Sequence, residues 1–321
     1  MTTTEHTVAG FFSGTGGIEL GFNNAGFSTS YSNEWDKHAG VTYATNFGET
    51  HLVLEDINAI KLEGIPATTV VAGGFPCQAF SIAGHRLGFD DSKGRGNLFF
   101  RIAEIVEEKQ PEVVFLENVK NLVTHDNGNT FVVILETLAK LGYYVKHKVM
   151  NAKDYGNVPQ GRERIYIVGF KSEDAYNKFE FPEQIPLTTK LSDVIDFENK
   201  VDEKYYYTAI KNPNIFDTIA AGVLSEDSVY QWRRQYVREN KSGVAPTLTA
   251  NMGTGGHNVP LVTTKHGIRK LTPRECFNLM GFPSDYKLPA LADMHLYKQS
   301  GNAVVVTVIK RIAEKIEEAL A

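Results

Sequence analysis

The chain has very few cysteines, since only Cys77 and Cys276 occur among its 321 residues. Two cysteines so far apart exclude a disulfide-rich scaffold and a multi-cysteine zinc site, so we expect a reduced, cytoplasmic protein without a metal site. No run of 18 apolar residues is present, which argues against a membrane span, and the first ten residues lack the pattern of a secretory signal. The 42% of hydrophobic residues are enough to build a sizeable core.

A surplus of positive charge is also missing, because the net charge is −5, which is unusual for a protein that binds nucleic acid. Between Tyr230 and Arg274, however, eight positive residues and one acidic residue, Glu239, give +7, which leaves −12 for the remainder. This asymmetry indicates one face that binds a polyanion, although a basic surface without a partner is the alternative. The positive residues are Arg233, Arg234, Arg238, Lys241, Lys265, Arg269, Lys270 and Arg274.

Short apolar runs alternate with helical patterns through the first 170 residues, which predicts a doubly wound α/β sheet. The segment 171–268 has weak periodicity and predicts a second, smaller domain of mostly irregular β structure. We place the first domain at 1–187 plus 302–321 and the second at 188–301. The predicted strands are 8–12, 30–33, 51–56, 69–74, 113–118, 143–150 and 164–170, and predicted helices begin near Ile18 and cover 97–109, 130–141 and 304–320.

A glycine-rich turn, with the sequence FSGTGG from Phe12 to Gly17, lies between the first predicted strand and helix. Glycines at such a turn let a ligand approach the backbone and the free N–H groups of the helix. The spacing departs from the G-x-G-x-x-G of NAD-binding folds, so a tight turn without a ligand is the plain alternative.

Two acidic residues, Glu34 and Asp56, come directly after the second and third predicted strands. The carboxyl ends of parallel strands line the ligand crevice of an open α/β sheet. Glu34 would suit two ribose hydroxyls, Asp56 an adenine amino group, and Trp35 the face of the adenine ring. Each acid on its own would equally fit a solvated loop residue.

Cys77 follows the fourth predicted strand in the sequence GGFPCQAFS. A free cysteine is usually a small buried hydrophobic residue. A loop shaped by glycine and proline at the end of a strand, with the polar neighbours Gln78 and Ser81, favours a nucleophile that reacts as the thiolate.

Glu117 ends the next predicted strand, so it should emerge at the same edge of the sheet as Cys77. Arg162 and Arg164 lie just before the last predicted strand. Either arginine could enter this crevice, form an ion pair with Glu117, or bind phosphate.

Taken together, these motifs resemble the DNA (cytosine-5) methyltransferases, specifically the compact bacterial restriction–modification type. The segment 170–269 lies where that family keeps its variable target-recognition region, and Ala303 stands where a serine is common. Eight stretches in the family's order carry the resemblance from Val8 to the final helix: FFSGTGG, SNEWD, DI, GGFPCQAFS, ENV, QGRERIYIVGF, RKLTPRECFNLMGFP and QSGNAV.

The resemblance implies a Rossmann-like fold, S-adenosylmethionine as the cofactor and a role for each motif. Cys77 would attack carbon-6 of cytosine, and Glu117 would hold or share a proton at ring nitrogen-3. Arg164 would touch the flipped base, and Arg162 would position Glu117 or Cys77. The implied cofactor residues are Phe12, Gly14, Thr15, Gly16, Gly17, Glu34, Trp35, Asp56, Ile57, Pro76, Asn302 and Val304. The implied DNA-binding residues are Gln78, Ser81, Arg233, Arg234, Arg238, Lys241, Thr247, Thr249, Gly255 and Gly256.

Chemistry agrees with this assignment, because carbon-5 of cytosine becomes nucleophilic only after covalent addition at carbon-6, and neither atom is reachable in a stacked duplex. We expect duplex DNA as substrate, a monomer, and a cognate restriction endonuclease for the same site as a partner. An NAD-dependent oxidoreductase is disfavoured by the glycine spacing and by Cys77 with Glu117, and those two residues also disfavour a non-catalytic regulator. A tRNA cytosine-5 methyltransferase on the same framework stays open.

Overall fold

A seven-stranded sheet forms the centre of the protein's first compact unit in the computed structural model, which describes residues 5–75, 98–254 and 258–321. The strand order is β3-β2-β1-β4-β5-β7-β6, and β1 to β5 pair in parallel. The predicted α/β sheet is therefore confirmed. Its strands are β1 (Thr7–Phe11), β2 (Ser28–Glu34), β3 (Leu52–Leu54), β4 (Val70–Gly73), β5 (Val113–Val119), β6 (Tyr144–Asn151) and β7 (Glu163–Phe170).

One strand of this sheet, β7, runs antiparallel to its neighbour β5, with Val113 opposite Phe170 and Val119 opposite Arg164. The sequence did not predict this direction, because an apolar run indicates burial and not orientation. The first four residues of β5 are fully buried, as expected of a central strand covered on both faces.

The helices extend through both compact units, and the predicted helices at 97–109, 130–141 and 304–320 are present within one or two residues of their predicted bounds in the described chain. Apart from the helix predicted near Ile18, the other described helices were not predicted. The longest of them are α2, which begins where the Asp36 side chain accepts hydrogen bonds from two backbone N–H groups, and α10. The helices are α1 (Gly17–Asn23), α2 (Lys37–Phe47), α3 (Leu98–Lys109), α4 (Asn129–Lys140), α5 (Ala152–Tyr155), α6 (Glu173–Lys178), α7 (Leu191–Val194), α8 (Phe216–Gly222), α9 (Pro273–Asn278), α10 (Asp293–Asn302) and α11 (Val306–Leu320).

The register of the sheet aligns one residue from each of four neighbouring strands. Phe11 of β1 lies opposite Asn33 of β2 on one side and Gly73 of β4 on the other, and Gly73 lies opposite Leu116 of β5. The residue after each member of this row, hereafter the terminal row, therefore emerges at the same edge. These following residues are Phe12, Glu34, Gly74 and Glu117.

The last helix packs against α1 at a glycine. A Cβ atom built on Gly21 would lie 2.5 Å from both Cβ and Cγ2 of Ile309, so only glycine allows this approach. Ile309 and Ile312 have no exposed surface, which agrees with the predicted amphipathic pattern.

The second compact unit is more regular than the sequence predicted, because a four-stranded antiparallel sheet of order β11-β10-β8-β9 lies at its centre. Strands of three or four residues are too short to show alternation in the sequence. A small core of Ile219, Val223, Tyr230, Trp232 and Leu261 packs on one face of this sheet. The strands are β8 (Tyr230–Trp232), β9 (Val237–Glu239), β10 (Leu261–Thr264) and β11 (Gly267–Lys270).

The two compact units are discontinuous in sequence. The first contains Met1–Met150, Glu163–Glu183 and Val308–Ala321, and the second contains Asn151–Arg162 and Gln184–Thr307. These bounds differ from the predicted ones chiefly by Asn151–Arg162, which groups with the second unit. In the described parts of the chain, no helix combines the length and apolar character that crossing a membrane requires.

A carboxyl group is buried inside the first unit, next to the terminal row. Glu19 of α1 has no exposed surface, and its Oε1 accepts a hydrogen bond of 3.1 Å from Ser32 Oγ, which lies 2.6 Å from Tyr43 Oη. Burial raises the pKa of Glu19 to about 7, against the lowering effect of hydrogen bonds from Ser13 and Ser32. The protonated form of Glu19 is therefore abundant at neutral pH in the folded protein.

Replacing Glu19 with glutamine should change how stability depends on pH. An acid whose pKa is raised from 4.5 to about 7 by folding destabilises the protein progressively as the pH rises through that interval. The Glu19→Gln variant lacks this pH-dependent destabilisation, so its stability relative to the native protein should increase by about 3 kcal/mol between pH 4.5 and pH 7. Urea unfolding at a series of pH values measures the difference, with Glu63→Gln on the exposed surface as the control. A difference independent of pH would contradict the assignment.

Candidate active site

Glu117 lies where the terminal row places it, at the carboxyl edge of β5 and beside the chain that follows β4. Its Oε1 lies 3.1 Å from Arg164 Nε, and both side chains are largely buried. A Cβ atom built on Gly74 would lie 3.4 Å from Glu117 Oε2, so the carboxylate faces the backbone three positions before Cys77 in the sequence. Pro76, Cys77, Gln78 and Ser81 lie outside the described residues.

The backbone at Phe75 is held by Asn118, a residue that the sequence analysis did not single out. Its Nδ2 donates a hydrogen bond of 2.8 Å to the carbonyl of Phe75. The signal that could have identified it is an amide directly after Glu117, at the end of a buried strand. Glu117 thus contributes a charge to the candidate site, and Asn118 holds the backbone of Phe75 beside it.

The second cysteine of the chain has the environment of a structural residue. Cys276 on α9 is fully buried, and burial raises the pKa of its thiol well above the ordinary value. A thiol that stays protonated is a poor nucleophile. Of the two cysteines in the sequence, Cys77 is therefore the candidate nucleophile.

Arg162 binds backbone carbonyls within the second unit. Its side chain is almost completely buried, and its guanidinium donates to the carbonyls of Leu248 (2.8 Å), Gly301 (3.2 Å) and Ala303 (2.8 Å). These bonds hold two separate segments of the chain together. No pattern in the sequence indicates this structural function, and a role of Arg162 toward Glu117 or Cys77 stays a prediction.

The carboxylate of Glu34 ties the glycine-rich turn to the end of β2. Its Oε2 accepts a hydrogen bond of 2.7 Å from the N–H of Gly14, and its Oε1 accepts from the N–H groups of Trp35 (3.0 Å) and Asp36 (2.8 Å). Burial raises the pKa of Glu34, and these three bonds oppose that effect. A carboxylate oxygen accepts two hydrogen bonds, so Oε2 retains capacity for a ligand hydroxyl.

The residues around Glu34 leave a surface suited to an adenosine group. Trp35 is 71% exposed, which is unusual for so large an apolar ring at the edge of a sheet. Asp56 is exposed, and its Oδ1 accepts from the N–H and the side-chain amide of Asn58, whereas Ile57 beside it is buried. The exposed indole of Trp35 offers a stacking face, and the carboxylates of Glu34 and Asp56 offer hydrogen-bond acceptors.

The glycine-rich turn has a backbone conformation that ordinary residues disfavour. Gly14 and Gly16 have φ of 56° and 79°, and Phe12, a bulky residue, also has a positive φ of 56°. Strain of this kind at a non-glycine residue is typical of functional sites. Thr15 and Gly17 are buried, so the turn presents mainly backbone.

Two residues that the sequence assigns to the cofactor belong to the second unit. Asn302 is the exposed last residue of α10, and Val304 is buried two positions later. Gly301 precedes them and lies against the backbone of Thr249, where a Cβ atom built on the glycine would be only 2.2 Å from the carbonyl carbon, so no side chain would fit. The part of Asn302 and Val304 in cofactor binding stays a prediction.

The segment from Tyr230 to Arg274 does not form one continuous positive face. The prediction of such a face is wrong for about half of the positive residues in this segment. Arg269 has no exposed surface and donates to both carboxylate oxygens of Glu275, at 2.7 and 2.9 Å. Lys265 pairs with Glu198 at 2.9 Å, and burial lowers the pKa of Lys270. The sequence could not show this, because the acidic partners lie outside the segment.

The charges that stay exposed are concentrated on the β8–β9 hairpin and just after it. Arg274 is half-buried and donates to the carbonyl of Tyr286. Thr247 donates to the carbonyl of Gly161, and Thr249 is exposed, while Gly255 and Gly256 lie outside the described residues. The exposed positive residues are Arg233, Arg234, Arg238 and Lys241, together with Lys265, which pairs with Glu198.

Known proteins are similar to this sequence over nearly its whole length. The sequence model of the family described as C-5 cytosine-specific DNA methylase matches residues 6–318. Type II methyltransferase M.Bsp6I of Bacillus sp. (strain RFL6) is 56% identical over 98% of this chain and 99% of that relative. Type II methyltransferase M.HhaI of Haemophilus parahaemolyticus is 41% identical over 96% of this chain and 93% of that relative.

Solved structures agree with the fold. A crystal structure of a DNMT2 variant from Spodoptera frugiperda has a TM-score of 0.73 and 19% identity, and the match covers 98% of this chain and 100% of that one. A putative DNA modification methyltransferase from an E. coli prophage also has a TM-score of 0.73, at 20% identity. At such identities the likeness shows the fold, whereas the sequence match over residues 6–318 shows the family. The chain belongs to the C-5 cytosine-specific DNA methylases.

Proposed function

We propose that Cys77, Glu117 and Arg164 carry out the covalent chemistry of this DNA (cytosine-5) methyltransferase. The observation that supports this most directly is the Glu117–Arg164 ion pair of 3.1 Å, which lies beside Gly74, three positions before Cys77 in the sequence. The fully buried Cys276 leaves Cys77 as the nucleophile. We also propose that the first unit is catalytic and that the second unit reads DNA.

In the proposed mechanism the target cytosine is flipped out of the duplex, since its ring atoms are inaccessible in the stack. The Cys77 thiolate forms a bond to carbon-6 as the π bond between carbon-5 and carbon-6 breaks, and the proton that Glu117 places at ring nitrogen-3 lets the ring accept the displaced electron density. Arg164 keeps the Glu117 carboxylate in place and offers N–H donors to the base. The addition makes carbon-5 nucleophilic, so carbon-5 takes up the methyl group and then carries both the methyl group and its proton. Loss of the carbon-5 proton to a base, departure of Cys77 as thiolate and return of the nitrogen-3 proton to Glu117 then restore the aromatic ring.

S-adenosylmethionine is the methyl donor of this enzyme and supplies an electrophilic methyl group. The residues present fit it, because Glu34 Oε2 can accept a ribose hydroxyl, Trp35 offers an exposed ring for the adenine, and Asp56 offers an acceptor for its amino group. We propose that Phe12, the 14–17 turn, Ile57, Pro76, Asn302 and Val304 are further cofactor-binding residues.

The names of the relatives support a wider role. M.Bsp6I and M.HhaI are both named Type II methyltransferases, so we propose that this chain acts as a monomer in the bacterial cytoplasm beside a restriction endonuclease for the same site. A tRNA target is not favoured, because the matching family is described by its action on DNA.

The Cys77→Ala variant should lose methyl transfer and retain cofactor binding, because Cys77 acts on the base and not on the cofactor. Duplex DNA carrying 5-fluorocytosine at the target should form a covalent adduct with the native protein, since fluorine does not leave as a proton. Denaturing gel electrophoresis detects the adduct, and Cys276→Ala is the control that should still form it. Methylation of ordinary DNA without any adduct would contradict the covalent mechanism.

The Glu117→Gln variant should slow methyl transfer by about 10²–10⁴-fold, the range typical of removing a proton donor in the transition state. Single-turnover kinetics measure this step, and titrations should show unchanged binding of cofactor and DNA. Glu163→Gln is the matched control, because Glu163 is exposed and pairs with Lys120 at 3.0 Å. Equal rates for the two variants would show that Glu117 has no role in the proton transfer.

The Glu34→Ala variant should bind S-adenosylmethionine more weakly by about 1–3 kcal/mol, because the ligand loses a charged hydrogen-bond partner. Glu34→Gln keeps one oxygen acceptor and should lose less. Calorimetric titration gives both dissociation constants, with Glu63→Ala as the control. An unchanged dissociation constant in Glu34→Ala would refute the ribose assignment, and tight binding of NAD by the native protein would refute the cofactor assignment.

A further inference from the structure

The β8–β9 hairpin of the second unit has one buried face and one polar face. Tyr230 and Trp232 pack into the small core of this unit, with Val237 against it. Successive residues of a strand point to opposite faces, so Gln231 and its cross-strand partner Arg238 share the other face.

Gln231 organises this outer face. Its Oε1 accepts hydrogen bonds from Arg238 Nη2 at 2.5 Å and from Arg233 Nη2 at 3.1 Å. Two guanidinium donors require an acceptor between them, which fixes the orientation of the amide and leaves its Nε2 as a donor. The only acceptor of the Gln231 side chain is therefore committed to the two arginines.

Among the described residues, the outer face has no acid paired with its arginines. In residues 5–75, 98–254 and 258–321, no salt bridge involves Arg233 or Arg238. Glu239, the acid within the basic segment, is opposite Tyr230 on the other face and accepts a hydrogen bond of 2.8 Å from Ser228 Oγ. The outer face thus presents hydrogen-bond donors and positive charge.

The turn of the hairpin adds a further arginine at a strained position. The N–H of Arg233 donates to the carbonyl of Tyr236 at 2.9 Å, so Arg234 is the first central residue of the turn, and its φ is +68°. Glycine is favoured at such a position, and a long charged residue there is typical of a functional constraint.

We propose that the outer face of this hairpin, formed by Gln231, Arg233 and Arg238, reads a guanine of the target sequence in the major groove. The proposal rests on the proposed function and specifies the base that the second unit recognises. Guanine presents two acceptors there, N7 and O6, whereas adenine presents an acceptor and a donor and cytosine presents a donor. A face of donors fits guanine. The usual pairing of a glutamine with adenine needs the amide oxygen, which the two arginines occupy.

Modified duplexes test this proposal. The methylation site is first mapped by bisulfite sequencing of a random-sequence duplex pool treated with the enzyme. Each guanine of the site is then replaced by 7-deazaguanine, which lacks the N7 acceptor and keeps normal base pairing. At one or more guanines the replacement should lower kcat/KM of the native enzyme by about 5- to 150-fold.

The same replacement should matter far less in variants of the outer face. Gln231→Ala frees both guanidiniums, Arg238→Lys keeps the charge and loses the planar fork, and Gln231→Glu removes the Nε2 donor, so each should reduce the factor to about twofold or less. Thermal unfolding and cofactor binding should match the native protein in at least one of the three variants. Lys178→Ala on α6, where Lys178 pairs with Asp174, is the control and should retain the native factor.

A native enzyme that methylates DNA but is insensitive to every 7-deazaguanine would overturn the proposal, as would equal sensitivity of the native protein and all three variants. In that case the arginines contact phosphate alone, and their removal should reduce affinity for every sequence and flatten its salt dependence. A native protein that does not methylate DNA at all would contradict the proposed function instead.

Discussion

Four neighbouring strands of the large sheet align in one row near their carboxyl ends, and the chemistry of the molecule is arranged by that alignment. Asn33, Phe11, Gly73 and Leu116 form one row across β2, β1, β4 and β5. The buried side chains of the strands set this register, and the backbone hydrogen bonds of the parallel sheet maintain it. A slip of one residue in any strand would turn its buried residues outward, so the core that holds the register also holds the site.

Buried arginines hold the segments of the second unit together, whereas sheet register aligns the strands of the first unit. Arg162 satisfies three backbone carbonyls, and Arg269 pairs with Glu275, whose carboxylate also accepts from the N–H groups of Thr272 and Asp196. A buried charge with incomplete partners is costly, so these networks are stable only in one arrangement. They give shape to a unit whose strands are short and whose core is small.

Much of the first unit could be predicted from the sequence, because runs such as Val113–Leu116 are buried on both faces and identify central strands. The positions of Glu34 and Glu117 follow from the same logic, since acids near the carboxyl ends of parallel strands lie toward the same edge of the sheet. The direction of β7 and the strands of the second unit could not be predicted, because neither leaves a periodic signal. The positive charges were the least predictable feature, since Arg233 and Arg269 look alike in sequence and only the fold exposes one and buries the other.

The discontinuity of the first unit has a consequence for how the protein is made. The ribosome releases the chain from its N-terminus, so α1 emerges almost 300 residues before Ile309, the residue that packs against Gly21. All of the second unit is synthesised in between, because it ends at Thr307. During that interval the apolar surface of α1 lacks its covering helix, which makes the growing chain prone to aggregation or dependent on a chaperone until the last residues of α11 are added.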